Sequence, residues 1–145
     1  MSTSVLQESQ IRADGTATTK MEAMREAHEI LQEAGAVTAD YLPAMIEREK
    51  TVSTYMGNFL AIPHGTNEAK DAIKASALSF VRYATPIDWD GNPVRFVVGI
   101  AGVENQHLDI LSKIAIVFSD DDQVQALTDA ADESAIMAIL AEVNE

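Results

Sequence analysis

The sequence predicts a layered α/β domain with helices on both faces of a sheet. Three observations predict it. Thr19-Lys20-Met21-Glu22 reads as a capping box, Thr closing the helix and Glu three residues on reaching back, and apolar residues follow it at helical spacing. Val94–Ala101 is β-branched, aromatic and almost unbroken in its apolarity, as expected of a strand covered on both faces. Helical stretches then fill the chain after residue 105, so strands are interleaved between helices.

The elements are expected in this order. Residues 1–14 are expected to be loosely ordered, with one short edge strand near Val5–Ile11. A first helix presents Ala23, Met24, Ala27, Ile30, Leu31 and Ala34 on its inner face, with Glu22, Arg25, Glu26, Glu29 and Glu33 mostly opposite and Gly35 as its stop. His28, among those acids, reads as a surface helix residue. A second helix starts near Asp40, so that Pro43 falls in the first turn where its missing N–H costs little, and ends in Glu47-Arg48-Glu49-Lys50. Thr51–Asn58 is polar and ends in a Gly-Asn turn signal. Phe59–Ile62 is a short apolar run that Pro63-His64-Gly65-Thr66 stops. Ala75–Ala84 reads as a strand, Pro86–Pro93 as a loop and Val94–Ala101 as a strand. Helices are expected near 106–118, with Asn105 as cap, and near 121–131 and 134–143.

Composition narrows the function classes. The 145 residues suit one domain, 1–145, and 47% hydrophobic residues are enough for a core. Against 10 Lys+Arg stand 23 Asp+Glu, a net charge of −13, which argues against nucleic acid and anionic membranes as partners. No basic residue follows Lys113, whereas eight acidic ones do, a pattern that usually marks a solvated face and could also dock a basic partner. Cysteine is absent, which excludes disulfides and thiolate chemistry within these residues. No apolar run approaches a membrane span, and the N-terminus lacks the basic and apolar regions of a secretory signal, so a cytoplasmic location is expected.

Candidate chemistry centres on two histidines and an arginine. Pro63 restricts the residue before it to extended geometry, and Gly65 lets the backbone turn or approach a ligand. His64 is thus held at a strand-to-loop exit, where sites in open α/β sheets lie. His107 falls at the start of a helix, where N–H groups favour anions and oppose imidazole protonation. Arg48, near a helix C-terminus, can complement the dipole there or offer a planar fork to phosphate. Each residue taken singly also has a plain structural reading.

Together these segments resemble a known family. Met45-Ile46-Glu47-Arg48-Glu49, then Ser53-Thr54-Tyr55-Met56-Gly57-Asn58-Phe59-Leu60-Ala61-Ile62-Pro63-His64-Gly65-Thr66, is similar to the signature of fructose/mannitol-type enzyme IIA domains of the phosphoenolpyruvate-dependent sugar phosphotransferase system. Gly99-Ile100-Ala101 through Glu104-Asn105-Gln106-His107-Leu108 resembles that family's second histidine segment, and Pro63–Lys70 leans toward the mannitol branch. The resemblance spans residues 15–142. The Asp88–Asn92 loop looks shorter than in some mannitol-type relatives.

This resemblance implies a mixed, about five-stranded sheet flanked by helices, and it implies roles. His64 accepts the phosphoryl group through Nε2, while Arg48 and His107 line the pocket and hold phosphate oxygens. The chain would receive from the histidine-containing phosphocarrier protein and donate to a cysteine of an enzyme IIB unit, with mannitol as the expected sugar and without cofactor or metal. Fructose-type transfer and nitrogen-type regulation are alternatives inside the family. Outside it stand a metal site of His64, His107 and Asp109 or Glu104, and a pure interaction module with structural histidines.

Overall fold

The computed structural model describes residues 5–65, 71–103 and 106–141, except for the side chain of His107. It has a mixed five-stranded sheet in the order β1-β4-β5-β3-β2, formed by Ile11–Arg12, Tyr55–Gly57, Leu60–Ala61, Ala77–Trp89 and Asn92–Ala101 in chain order. β1 runs parallel to β4 and β3 parallel to β5, whereas the β4–β5 and β2–β3 pairs are antiparallel. Among the described residues, five α-helices flank it: α1 Lys20–Glu33, α2 Tyr41–Thr51, α3 Gln106–Phe118, α4 Asp121–Asp129 and α5 Glu133–Leu140.

Alternation along the two central strands divides the core. Leu78 and Phe80 of β4, with Phe96, Val98 and Ile100 of β5, face α3, α4 and α5. Ala77, Val81, Val97 and Ala101 point the other way, onto α1 and α2. The near-continuous apolarity of Val94–Ala101 follows from this double cover. At Gly99 an added Cβ would meet Ser79 Oγ at 2.5 Å and Ala27 Cβ at 3.1 Å, so glycine is what lets α1 lie this close to the sheet.

The first helix starts as its capping box dictates: Glu22 N–H donates to Thr19 Oγ1 at 3.2 Å, and Thr19 Oγ1–H donates to Glu22 Oε1 at 3.1 Å. Gly35, with φ +79°, follows its end. Within the acidic tail, Asp120 and Asp132 cap α4 and α5 by accepting from Asp122 N and Ala135 N. Several expectations are corrected. The Pro86–Pro93 segment is strand on both sides of a two-residue turn, because Ile87 and Trp89 alternate into the core and Asp90 and Gly91, at φ +56° and +97°, reverse the chain between Trp89 and Asn92. The polar stretch before Phe59 holds edge strand β2. His28 is buried, its Nε2–H donating to Thr38 O at 3.1 Å, because the connection to α2 folds over that side of α1. At the N-terminus, Leu6, Ile11 and Ala13 are buried, and Leu78 N donates to Val5 O.

Glu26 likewise points inward, although it falls among the acids expected outside. Burial opposes its charge. Hydrogen bonds from the Tyr83 hydroxyl at 2.6 Å and Arg12 at 2.9 Å outweigh that and hold its carboxyl below the ordinary carboxylate value. A carboxyl lowered by folding contributes stability above its unfolded value, and the contribution disappears as pH falls through the folded value. The parent protein is therefore expected to lose stability more steeply than Glu26→Gln between about pH 5 and pH 3, measured by urea unfolding at each pH. Equal slopes would contradict the assignment.

Candidate functional site

His64 stands at the C-terminal end of the parallel β3–β5 pair. Its backbone bridges Ile100 in parallel register, with Ile100 N donating to Pro63 O at 3.1 Å. Half-buried, its ring places Nδ1 2.8 Å from the carbonyl oxygen of Ile62. A carbonyl only accepts, so Nδ1 carries the proton, and in the neutral ring the lone pair lies on Nε2.

Ile62 is itself fixed from below. Its N–H donates to Thr54 O at 3.1 Å. Thr54 is in turn held by the buried Glu49 carboxylate, which accepts from Thr54 N at 3.0 Å, from Thr54 Oγ1 at 2.5 Å and from Trp89 Nε1 at 3.2 Å. Lys20 Nζ lies 3.2 Å from the same group. Glu49 therefore joins α1, α2, the start of β2 and the end of β4. A contiguous chain of hydrogen bonds leads from it through Thr54 and Ile62 to the His64 ring. Sequence reading passed over Glu49 because acid–base neighbours on a helix end look like surface charges. Its spacing from Met45 was the available signal, since residues four apart share a helix face and Met45 is core.

Arg48 is partly exposed, and its Nη1–H donates to Val52 O at 2.9 Å. Tyr55 pairs with Ala61, so the chain just before Thr54 runs beside the end of β3 from which His64 emerges. Arg48 thus reaches the same end of the sheet as His64. His107 is the second residue of α3. The end of β5 leads directly to that helix: Ala101 pairs with Ala77, Val103 N donates to Ser76 Oγ at 3.0 Å, and Ser76 contacts the Gln106 side chain. The first turn of α3 and the His64 backbone are therefore brought to one edge, although α2 and α3 pack on opposite faces of the sheet. The expected cap Asn105, the motif residues Thr66–Lys70 and the His107 side chain lie outside the described residues. So does Glu104 of the alternative metal grouping; Asp109, its other carboxylate, is paired with Lys113 at 3.2 Å.

With this geometry in place, comparison with known proteins decides the family. The family model described as "Phosphoenolpyruvate-dependent sugar phosphotransferase system, EIIA 2" matches residues 4–143. The chain belongs to this EIIA family. A mannitol-specific phosphotransferase enzyme IIA component of Halalkalibacterium halodurans is 46% identical over 145 residues, covering 100% of both chains. The complex of enzyme IIAMTL and phosphorylated enzyme IIBMTL from Escherichia coli contains a chain of the same fold. Its TM-score is 0.88 at 31% identity, with 94% of this chain and 97% of that one covered. The crystal structure of IIA mannitol from Escherichia coli superposes with a TM-score of 0.86 at 31% identity, covering 93% and 98%. EIIA components are phosphotransferases that carry phosphoryl groups between proteins. No helix among the described residues of this EIIA protein is long and apolar enough to cross a membrane.

Proposed function

We propose that the protein, as a single EIIA type 2 domain over 1–145, is the cytoplasmic EIIA link of a mannitol phosphotransferase relay. His64 takes a phosphoryl group from the histidine-containing phosphocarrier protein and passes it to a cysteine of an enzyme IIB unit. The observation that carries this reading is the contact of His64 Nδ1 with Ile62 O at 2.8 Å, because a proton held on Nδ1 leaves the lone pair of the neutral ring on Nε2. The mannitol assignment rests on full-length relatives of that name at 46% identity.

The reaction asks for alignment more than for covalent help. In a loose transition state the bond from phosphorus to the carrier's nitrogen breaks while the Nε2 lone pair of His64 forms the new one. The leaving imidazole keeps the electron pair. The His64 ring gains positive character as it bonds to phosphorus, and the Ile62 carbonyl on Nδ1–H stabilises that charge. Arg48 offers two parallel donors to equatorial oxygens, and His107, at a helix N-terminus, adds another. Transfer onward reverses these steps, with a IIB thiolate as the nucleophile.

Incubation with phosphoenolpyruvate and the general carriers, followed by peptide mapping, tests the reading. A gain of about 80 Da on His64, the mass and charge of one phosphoryl group, is expected. No gain in the complete mixture would refute it, and discharge only to a fructose-type IIB would refute the mannitol assignment. With a net charge of −13, association with a basic carrier face is expected to slow as salt rises, measured by stopped flow. A salt-independent rate would exclude steering.

A further inference from the structure

The backbone on either side of His64 is held in two different ways. In a parallel ladder with His64 opposite Ile100, Ile100 N bonds to residue 63 and Gly65 N bonds to Ile100 O. The first bond is made, at 3.1 Å. The place of the second is taken by a side chain. Tyr41, at the start of α2 and only 2% exposed, puts its hydroxyl between the partners: Gly65 N donates to it at 2.8 Å, and it donates to Ile100 O at 2.7 Å. The ring fills the space beside Gly65 so closely that a Cβ at position 65 would lie 2.5 Å from Tyr41 Cε1.

We propose that Tyr41 is a positioning residue for phosphoryl transfer, its buried hydroxyl wedging the Gly65–Ile100 ladder position and so fixing the peptide that carries His64. The proposal rests on the reading of His64 as phosphoacceptor and goes beyond the residues that would touch the phosphate. The physical argument is one of length. A direct ladder bond would draw Gly65 against β5, whereas a hydroxyl between donor and acceptor spaces the strand ends apart by about the width of one oxygen while leaving both groups satisfied. His64 leaves the sheet at that opening. Its ring is held from Ile62 on one side and its backbone from Tyr41 on the other, so both the position and the rotation of the imidazole are set before a partner arrives. Burial pushes the Tyr41 phenol above its ordinary value despite the Gly65 N–H it accepts, so the hydroxyl stays protonated and able to donate to Ile100.

The test uses Tyr41→Phe in the full chain, with uptake from the phosphorylated carrier resolved into kcat and KM and with nitrogen-15 spectra of the His64 ring. The expected result is a fall in kcat of about tenfold or more at a KM close to the parent's, together with a His64 ring spectrum moved toward a mixture of tautomers. A kcat comparable to the parent's, or an unchanged ring spectrum, overturns the proposal. If Tyr41→Phe does not fold, Gly65→Ala displaces the same ring without removing a polar group, and the same two readouts decide with the same meaning. Mapping the phosphoryl group in the parent separates the two levels of inference. A group found on another residue overturns both this proposal and the phosphoacceptor reading, whereas a group on His64 with an unimpaired variant overturns the role of Tyr41 alone.

Discussion

The His64→Ala protein folds as the parent does and takes up no phosphoryl group. His64 is half-buried at a strand exit, outside both halves of the core, so truncating it opens no cavity among packed residues. It removes the nucleophile; His107, the other imidazole assigned to the pocket, holds phosphate oxygens in this reading, a serine or threonine would form an inert ester, and cysteine is absent. Labelling with phosphorylated carrier is expected to fall to background while the thermal midpoint stays near the parent's. Arg48→Ala behaves differently. The acceptor remains, and one source of equatorial charge stabilisation is lost, so uptake slows by about a hundredfold, within the range measured for single oxyanion donors, and His64 is still the residue modified. Undiminished labelling of His64→Ala would place the phosphoryl group elsewhere and remove the basis for every role assigned around it.

The largest stability effect is expected at Glu49. Replacement by alanine leaves the Thr54 N–H and the Trp89 Nε1–H without their acceptor in a buried place, and leaves Lys20 paired with Asp90 at 2.6 Å. Removing one side of a buried, multiply bonded charge costs about 3 kcal/mol or more, because the surviving polar groups keep their desolvation penalty. For a chain of this size that corresponds to a midpoint lowered on the order of 10 °C. Denaturant unfolding should show the midpoint displaced with the slope retained. The same variant should transfer phosphoryl slowly even at temperatures where it is folded, because Thr54 and Ile62 lead from Glu49 to the His64 ring. A loss below about 1 kcal/mol, the value of an exposed pair, would show that the carboxylate is solvated instead.

Local chemistry made much of the architecture legible. The Thr19 cap, Gly35 and Pro43 place the ends of α1 and α2 through backbone rules that act over a few residues. The unbroken apolarity of β5 foretold a strand between two layers. The elements misread were those whose character depends on distant contacts. Pro86 and the polar residues around it gave Ile87–Trp89 the look of a loop, and only pairing with Asn92–Val94 makes it strand. His28 and Glu26 sit among acids that imply a solvated helix face. They are buried because the 36–41 connection and the Arg12–Thr16 segment cover that face.

By itself the sequence determined the layered α/β class and the family, together with His64, Arg48 and His107 as the residues to examine, because capping, periodicity and a motif around a proline and a glycine are all short-range properties of a chain. Tertiary structure decided what stands behind His64. Glu49 acts through Thr54 and Ile62, and Tyr41 is inserted between Gly65 and Ile100, 59 positions from the carbonyl it bonds. No local pattern can announce such contacts. A hydroxyl or carboxylate acquires its role from the donors and acceptors that folding leaves unpaired nearby, and those are set only when the strand ends have met.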